Sequence, residues 1–590
     1  MKLPPKLLLE RPCNASVRDA YVEAGLSSHL ADFLGRRLDH FIDWESLISP
    51  RLSQVADPGS IPSMALAVER ITRAIVDGER IVLACDHDMD GTASAAVLWQ
   101  AMVNMFGVAT DRICVITSHR LTEGYGIGEA VVARIENFGA QLVISADKGS
   151  SDEPRIATLA DKGIDVVVTD HHVIPMEGPP KSAYAVVNPS RLDAEYDRQI
   201  CGAGVAFLVM AKVRSALIEK GVFSQLPPIA GLLDYVAVAT IADCVSLSPG
   251  ASLTNRAFLR RGMEQVRAQC RPCWKIFAQD QPGEIDAETI AFRLSPAISA
   301  AGRLDWAEEG FRFLISPTES EAAAHWSELK RENTERQSIE RRLRQQAFPL
   351  AASMEDPAIV LFFEDGHSGV HGITASRVVE AFGKPCAIFA PKGNGARNAP
   401  QTTPPELASG SFRSVPGIDV QQALETVAKL NPGLLVAYGG HPAAAGATVH
   451  ISDIPRFQQA FCCAIADQTV GGTKPQPTIW TDGELDACSH TLQGIQAFDA
   501  ISPFGRGFEA PIYSGTFRVA TFRTLSEGRH GRLRLQRGSL DLEAIWFQID
   551  SALECLPAAG NELHIAYRLA RHQYRDQISL QATILAGTIL

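Results

Sequence analysis

Five valine- and isoleucine-rich runs alternate with helical segments between residues 81 and 187. Continuous apolar runs of this length are typical of strands that are buried on both faces. Strands of this kind that are joined by helices form a parallel α/β sheet. Functional side chains of such sheets gather just past the carboxyl ends of the strands. The predicted strands are Ile81–Cys85, Ile113–Thr117, Leu142–Ala146, 166–169 and Ala185–Val187.

Acidic residues directly follow three of these predicted strands. Crowded buried carboxylates are electrostatically costly unless a cation neutralises them. An acidic turn that caps a helix beginning near Ala93 needs one aspartate, so a cluster of three favours a metal site. The residues concerned are Asp86, Asp88 and Asp90 after the first strand, Asp147 after the third, and Asp170, His171 and His172 after the fourth.

One further carboxylate, Asp243, lies within the apolar segment 236–247. An aspartate that is buried there without a partner would strongly destabilise the fold. A metal ion or an ion pair with an arginine would satisfy it, and the sequence leaves both open.

The rest of the chain predicts additional domains. Residues 319–348 form a polar segment without glycine or proline, which is typical of a long connecting helix. A second α/β segment includes strands at 358–363 and 387–390, and a Gly/Pro-rich linker follows at 472–477. Alternating segments at 516–521, 531–535 and 563–568 then predict a small antiparallel β-barrel.

These observations predict an α/β protein with five parts. The parts are an N-terminal helical extension (1–60), a parallel-sheet catalytic domain (61–315), a connecting helix (316–350), a second α/β domain (351–471) and an OB-fold-like barrel (478–590).

The composition is that of an ordinary globular protein. The chain has 590 residues, a formal net charge of −12 and twelve scattered cysteines. The cysteine pattern argues against a disulfide framework, and we expect a cytoplasmic protein without a membrane span. A negative net charge weakly disfavours a nucleic-acid partner, but binding depends on local patches.

The acidic and histidine segments together resemble the DHH phosphoesterase family. Its motifs are Asp-x-Asp after the first strand, a lone Asp after a later strand, Asp-His-His and a final Asp. Further segments resemble the RecJ branch of that family. They are 120–126 (RLTEGYG), 201–207 (CGAGVAF), 300–304 (AAGRL), 332–337 (ENTERQ), 371–377 (HGITASR), 410–414 (GSFRS) and 439–446 (GGHPAAAG).

The resemblance implies a parallel-sheet DHH domain, a DHH-associated domain and a centre that holds two Mn²⁺ or Mg²⁺ ions. Asp147 would bridge the ions, Asp170 would orient His171, and His172 would lie beside the scissile phosphate. The remaining implied metal ligands are Asp90, His171 and Asp243 for one ion, and Asp88 with Asp86 nearby for the other.

Arginines and glycines supply the candidate phosphate contacts. Guanidinium groups bind phosphate oxygens in a bidentate fork, and glycines let backbone amides approach a phosphate. Each arginine could instead be a structural ion-pair partner. The candidates are Arg120, Arg303 and Arg413, the turn Gly439, Gly440 and His441, and the barrel residues Arg529, Arg532 and Arg534.

Three positions beside the metal ligands depart from the RecJ pattern. His87 stands where an aromatic residue is usual, Met89 where a small residue is usual, and Lys148 where asparagine is usual. We expect Lys148 either to compete with metal charge or to contact the substrate phosphate.

The function implied by the resemblance is that of a metal-dependent 5′-3′ exonuclease of single-stranded DNA in DNA repair or recombination. A single-strand-binding protein or a helicase would be a further partner, and we expect a monomer. Two alternatives remain: a DHH phosphodiesterase of dinucleotides or short oligonucleotides, and a non-catalytic replication scaffold. The predicted barrel disfavours the first, and the retained metal ligands disfavour the second.

Overall fold

The fold was analysed in a computed structural model. The structure describes residues 3–243, 245–395, 406–469, 476–526, 528–553, 555–574 and 577–590. Residues 472–475 of the predicted linker lie outside these ranges.

The N-terminal region contains the expected short helices and one strand that the sequence did not predict. The elements are β1 (Leu7–Glu10), α1 (Ala15–Glu23), α2 (Ser28–Gly35) and α3 (Trp44–Ile48).

A five-stranded parallel sheet follows, as the apolar runs predicted. Its strands have the order β3-β2-β4-β5-β6, and every neighbouring pair is parallel. Burial on both faces explains why the strands carry little polar alternation. The elements are α4 (Met64–Asp77), β2 (Ile81–Cys85), α5 (Met89–Trp99), β3 (Ile113–Thr117), α6 (Glu129–Phe138), β4 (Leu142–Ala146), α7 (Glu153–Ala160), β5 (Asp165–Thr169) and β6 (Ala185–Val187).

A helical layer completes the catalytic domain and shares one large core with α4 and α5. Among the described residues, no helix is both long enough and apolar enough to cross a bilayer. The helices are α8 (Gly202–Glu219), α9 (Leu233–Ala242), α10 (Leu253–Arg267), α11 (Pro272–Gln279), α12 (Ala287–Thr289), α13 (Ser295–Leu304) and α14 (Glu308–Ile315).

The connecting helix, α15 (Glu319–Ala352), has 34 residues and is therefore about 51 Å long. The side chain of Thr318 caps it by accepting a hydrogen bond from the amide of Glu321. The helix continues four residues beyond the predicted end at 348, and Pro349 lies inside its last turns.

The second α/β domain has a mixed sheet of order β10-β11-β9-β8-β7, in which only the β7–β8 pair is parallel. Its elements are β7 (Ile359–Phe362), α16 (Ser368–Phe382), β8 (Cys386–Pro391), β9 (Leu407–Arg413), α17 (Val420–Leu430), β10 (Ala437–His441), β11 (Ala444–His450) and α18 (Ile454–Gln468).

The C-terminal domain is a closed five-stranded barrel of order β13-β14-β15-β17-β16. The expected antiparallel barrel is confirmed except at one pairing, since β15 and β17 pair in parallel where the barrel closes. The elements are β12 (Thr478–Thr481), α19 (Leu492–Asp499), β13 (Tyr513–Leu525), β14 (His530–Arg537), β15 (Leu540–Trp546), α20 (Ile549–Ala552), β16 (Glu562–Tyr574) and β17 (Gln577–Ile589).

The N-terminal helices pack against the segment that leads into the barrel. Phe33 contacts Phe498 and Phe508 edge to face, with ring centroids 5.1 and 5.6 Å away. β1 pairs in parallel with β12, and a buried ion pair joins Arg37 to Asp482 at 2.6 Å. The N-terminal region and the segment that leads into the barrel therefore form one packed unit beside the catalytic domain.

Arg256 of α10 ties the catalytic domain to that unit. Its buried guanidinium donates to the carbonyl oxygens of Ile501 at 2.6 Å, Ser502 at 3.0 Å and Pro503 at 2.8 Å. Burial lowers the pKa of Arg256 to about 10, and the three carbonyls compensate for its lost hydration.

We predict that Arg256→Met destabilises this junction by about 2–4 kcal/mol, because three buried carbonyls lose their donor. Thermal unfolding of the full chain measures the effect. Arg260→Met on the same helix is the control, since the exposed Arg260 side chain makes only a surface ion pair with Glu264 at 3.7 Å. Equal melting curves for the two variants would contradict this role of Arg256.

Candidate metal centre and phosphate site

The acidic strand ends meet at the carboxyl edge of the parallel sheet. Asp86, Asp147 and Asp170 follow the adjacent strands β2, β4 and β5. The possible ligand atoms form three groups, and within each group they lie within 4.8 Å of one another. The groups are Asp147, His171 and His172; Asp90, His171 and Asp243; and Asp86, Asp88 and Asp147.

Asp88 serves as the N-cap of α5. Its Oδ1 accepts hydrogen bonds from the amides of Asp90 at 2.9 Å and Gly91 at 3.1 Å. α5 begins at Met89 rather than near Ala93 as expected, so Asp90 lies in its first turn. The capping and metal-site interpretations are compatible here, because Asp88 also belongs to one of the three ligand groups.

Asp90 is held by the N-terminus of a second helix. Its two carboxylate oxygens accept hydrogen bonds from the amides of Gly202 at 2.7 Å and Ala203 at 2.8 Å, at the start of α8. The positive end of the helix dipole stabilises this carboxylate. The motif CGAGVAF thus has a role that the sequence did not assign: it fixes Asp90.

Asp147 has an unusual backbone conformation. Its φ angle of 61° lies in the left-handed region, which costs of order 1–3 kcal/mol for a residue other than glycine. Gly202 packs against it closely, since a Cβ atom on Gly202 would lie 2.7 Å from Cβ of Asp147. The carboxylate is therefore positioned by a strained turn and by a glycine on the facing helix.

The two histidines occupy different environments. Nε2 of His171 lies 3.2 Å from Asp147, 3.7 Å from Asp90 and 3.7 Å from Asp243, at the centre of the carboxylates. Nδ1 of His172 instead donates to Oδ1 of Asp170 at 2.8 Å. Asp170 was expected to orient His171; it contacts that residue through the backbone amide, whereas its ring partner is His172.

Asp170 also fixes the backbone of both histidines. It accepts hydrogen bonds from the amides of His171 at 2.7 Å and His172 at 3.2 Å, and from that of Ser150 at 3.0 Å. Burial raises the pKa of Asp170, but the hydrogen bond and charge of His172 outweigh it and the net shift is downward. In the metal-free protein, the same contact overcomes burial and raises the pKa of His172 to about 9.

Asn188 and Ser190 support the histidine segment, and the sequence analysis missed both. Asn188 donates to the carbonyl of His172 and to Oγ of Ser150, each at 2.9 Å. Ser190 donates to the carbonyl of His171 at 2.8 Å. Asn188 directly follows β6, so the strand-end rule that selected the aspartates could have found it.

The carboxylates need a cation to coexist. Burial, followed by repulsion from Asp90, Asp88 and Asp86, raises the pKa of Asp147 well above its ordinary value. Burial and repulsion from Asp243 likewise raise the pKa of Asp90. Oδ1 of Asp147, Nε2 of His171 and Oδ2 of Asp243 are buried without hydrogen-bond partners among the described residues. Oxygen-rich ligand sets with one or two imidazoles fit Mn²⁺ or Mg²⁺.

Four arginines gather near the metal centre, at the seam between the catalytic domain, α15 and α16. Burial and then repulsion from Arg120 lower the pKa of Arg303 to about 9, and Arg336 and Arg413 also repel it. Asp88 counteracts this shift. The structure thus brings together Arg120, Arg303 and Arg413, which were predicted as phosphate contacts. It adds Arg336, which the sequence did not single out.

Helix α16 shapes this arginine cluster. Nη1 of Arg303 donates to the carbonyl of Gly369 at 3.4 Å. A Cβ atom on Gly372 would lie 2.8 Å from Nη2 of Arg413, so the glycine makes room for that guanidinium. Nη1 of Arg120 lies 3.2 Å from Nε2 of His87, which extends the cluster towards Asp86.

The Gly-Gly-His segment lies in an edge strand rather than in a turn as expected. Gly439, Gly440 and His441 are exposed residues of β10, and the turn to β11 falls at residues 442–443. Burial, followed by the charge of His172, lowers the pKa of His441. His441 is therefore close enough to His172 for the two imidazoles to influence each other electrostatically.

Tyr125 is a further residue that the sequence analysis did not select. Its hydroxyl donates to the carbonyl of Asp147 at 3.2 Å and lies 3.4 Å from Nδ1 of His172. The side chain remains half exposed beside His172.

The barrel arginines are exposed, and Arg532 and Arg534 share one face of β14. Arg532 and Arg534 project from β14, and Arg529 lies in the turn before it. Arg532 makes an ion pair with Glu543 at 3.1 Å, and Arg534 makes one with Asp541. The positive charge of this face is therefore partly balanced. Phe517 lies in the barrel core and Phe522 packs against that core.

Comparison with known families agrees with this architecture. The chain matches the DHH family, N-terminal domain, over residues 80–240, the DHHA1 domain over 355–467 and the RecJ OB domain over 481–586. The first match contains the acidic cluster except Asp243, and the second contains the Gly-Gly-His strand. Fold and site together define a metal-dependent phosphoesterase of the DHH class.

Individual relatives show which branch of the DHH class this chain is similar to. The single-stranded-DNA-specific exonuclease RecJ of Salmonella typhimurium is 33% identical over 88% of this chain and 89% of its own length. The Escherichia coli protein of the same name is 31% identical over 96% and 95%. The chain belongs to the RecJ family.

Solved structures of one relative contain the expected metals. The crystal structure of RecJ from Thermus thermophilus with Mn²⁺ has a TM-score of 0.79 and 26% identity, and the match covers 99% of this chain and 79% of that one. The corresponding structure with Mg²⁺ has a TM-score of 0.74 and 25% identity, with 99% and 78% covered.

We predict that Gly202→Ala weakens Mn²⁺ binding by about tenfold, because the new Cβ displaces Asp147 from the ligand group. Isothermal titration with Mn²⁺ measures the effect. Gly204→Ala on the same helix is the matched control, since the nearest atom to its Cβ would be 3.5 Å away. If both alanine variants bound Mn²⁺ like the wild type, Gly202 would not position Asp147.

Proposed function

We propose that this protein is a metal-dependent exonuclease that removes nucleotides from the 5′ end of single-stranded DNA. The observation that carries the proposal is the convergence of three carboxylate–histidine ligand groups at one sheet edge, with an arginine cluster beside them. The names of the relatives add the substrate class.

Asp90, Asp147, His171 and Asp243 would hold one ion, and Asp86, Asp88 and Asp147 the other. When bound, two such ions lower the pKa of a water molecule and neutralise phosphate oxygens during in-line displacement. The sheet edge and the start of α8 keep these ligands fixed, so the protein does not need to reorganise during the reaction.

His172 is the residue that handles a proton in this proposal. Asp170 accepts the hydrogen bond from Nδ1 of His172, so Nε2 remains available to face the substrate. A protonated imidazole there would donate to a phosphate oxygen or to the leaving group. We propose that His441 from the second α/β domain supplies a further imidazole near His172.

The arginine cluster supports attack at a chain end. Arg303 is repelled by Arg120, Arg336 and Arg413, and a bound anion would relieve that repulsion. A terminal phosphate is dianionic and accepts bidentate guanidinium contacts, so it suits the cluster better than an internal phosphodiester does. Seating the terminal phosphate beside the metal centre would align the first scissile bond.

The barrel supports a long substrate over a dinucleotide. OB folds bind single strands through basic grooves and exposed aromatic residues. Arg529, Arg532 and Arg534 are candidates for such contacts, although a bound strand would have to compete with Asp541 and Glu543 for two of them. The competing dinucleotide hydrolase would not use this domain.

The proposed substrate also leads to a proposal for the protein partners of this enzyme and for its place in the cell. A single-strand-binding protein or a helicase would present single strands to this enzyme during DNA repair or recombination. We propose that the enzyme acts as a monomer in the cytoplasm.

We predict that Asp147→Asn lowers turnover by about three orders of magnitude or more, because the shared ligand of both ions is lost. The assay follows single strands labelled at the 5′ or the 3′ end, with Mn²⁺, Mg²⁺ or a chelator. Early release of the 5′ label as a mononucleotide supports the proposed direction of digestion. Hydrolysis that persists in metal-free buffer would exclude the mechanism.

We predict that reversing Arg529, Arg532 and Arg534 to glutamate weakens binding of long single strands by about tenfold or more and lessens its dependence on salt. Cleavage of substrates too short to reach the barrel should hardly change, since the metal centre is untouched. Affinity against salt concentration and turnover against strand length measure the effect.

The control for the barrel variant is Arg260→Glu with Arg261→Glu on α10. These arginines are exposed and carry ion pairs to Glu264, as Arg532 and Arg534 do to their own partners. If the barrel variant digested long strands as well as this control does, the barrel would not be the DNA grip. A wild type that also preferred short substrates would then favour the dinucleotide hydrolase.

A further inference from the structure

The loop of residues 118–128 connects β3 to α6 and carries two residues of the proposed site. Arg120 belongs to the arginine cluster, and the hydroxyl of Tyr125 donates to the carbonyl of Asp147 at 3.2 Å. A loop holds side chains less precisely than a helix or a strand does, unless contacts from other elements fix it. The contacts that fix this loop therefore decide where Arg120 lies.

His119 joins this loop to the end of α13. Nε2 of its buried ring lies 3.3 Å from Oδ1 of Asp305, the residue that follows α13. An ionised carboxylate only accepts, so Nε2 carries the ring hydrogen, and Nδ1 accepts from the hydroxyl of Thr122 at 3.0 Å. Both nitrogens of a neutral imidazole thus have partners, which fixes the orientation of the ring.

A second set of contacts surrounds this pair. The ring of Trp306 meets that of His119 edge to face, with 4.9 Å between centroids, and the guanidinium of Arg134 lies 4.9 Å from the Trp306 centroid. Arg134 also donates to Glu123 at 2.6 Å, and Glu123 accepts the amide hydrogen of His119 at 2.8 Å. The loop, α6 and the end of α13 are therefore joined in one closed network.

The contact between His119 and Asp305 lies beside two arginines of the cluster. His119 directly precedes Arg120, and Asp305 lies two positions after Arg303. Two guanidinium groups that are charged at neutral pH repel each other. A contact between the segments that carry them must therefore hold the arginines together before an anion binds.

Packing at His87 also brings these two segments together. Nη1 of Arg120 lies 3.2 Å from Nε2 of His87. A Cβ atom on Gly302, the residue before Arg303, would lie only 2.5 Å from the carbonyl oxygen of His87, so α13 packs directly against it. In agreement with this geometry, Arg120 is the neighbouring charge with the largest effect on the pKa of Arg303.

We infer that the contact between His119 and Asp305 positions the arginine cluster for a terminal phosphate. It holds the loop against α13, so that Arg120 and Arg303 bind the same phosphate group. In this role neither His119 nor Asp305 touches the DNA. The inference rests on the terminal-phosphate site of the proposed function and deepens it, because it names the residues on which a preference for phosphorylated ends depends.

The test compares single strands that end in a 5′-phosphate with the same strands that end in a 5′-hydroxyl. The wild type should favour the phosphate in kcat/KM by about tenfold or more, since charged hydrogen bonds are lost with it. Asp305→Ala and His119→Leu should each lower this preference to about twofold or less, mainly by raising KM for the phosphorylated strand. The two variants break the contact from opposite sides, so either one is sufficient if the other does not fold.

A double-mutant cycle separates a lost contact from two independent losses. The double variant of Asp305→Ala with His119→Leu should discriminate between the two ends as poorly as either single variant does. His119→Gln should restore most of the preference, because its side-chain nitrogen can donate to Asp305 in place of Nε2. A general loss of stability would not produce this pattern.

Glu309→Ala is the matched control and should keep the wild-type preference. Oε1 of Glu309 on α14 lies 2.7 Å from Nδ1 of His325 on α15, in another partly buried pair of histidine and carboxylate. If the wild type prefers the phosphate and both contact variants keep that preference, the inference fails alone. Equal cleavage of both ends by the wild type would overturn it together with the terminal-phosphate site. A wild type that cleaves neither strand with Mn²⁺ would contradict the proposed nuclease function, on which the inference rests.

Discussion

Repulsion among buried carboxylates at one edge of the parallel sheet is the constraint on which the rest of this structure depends. Five aspartates and two histidines converge in the ligand groups because three adjacent strands end at this edge and α9 ends there at Asp243. Without cations, burial and mutual repulsion favour the protonated form of several of these carboxylates. Surrounding elements must therefore hold the groups in place against a force that separates them.

The backbone provides much of that restraint. The first turn of α8 binds both oxygens of Asp90, and the left-handed turn at Asp147 is held against Gly202 of the same helix. Both contacts oppose the tendency of the carboxylates to move apart, and strain at Asp147 is tolerated because packing fixes it. The apolar core beneath α5 and α8 is thus part of the metal centre, since it sets the position of these helix ends.

The sequence predicted whatever depends on regular local patterns. Buried strands appear as apolar runs, so the strands of the parallel sheet and the acidic residues after them were found nearly to the residue. Contacts between distant segments leave no such pattern, because they depend on tertiary packing. Examples are the pairing of β1 with β12, the approach of Arg336 to Arg303, and the hydrogen bond of Asp170 to the ring of His172. Asn188 is different, because its place after β6 was readable and the rule was not applied to a neutral side chain.

The net charge of the chain does not predict what the site binds, because acidic and basic side chains form separate clusters there. Five aspartates cluster at the sheet edge, where a divalent ion would reverse the local sign, and four arginines cluster near α16. Asp88 favours the charged form of Arg303, and His87 connects Arg120 to Asp86, so the two clusters stabilise each other. A metal ion bound among the carboxylates would offset the negative charge of Asp88 that stabilises Arg303. Binding of an anion to Arg303 would then become more favourable. Metal binding and phosphate binding should therefore be cooperative, because each ligand neutralises the charge that the other leaves uncompensated.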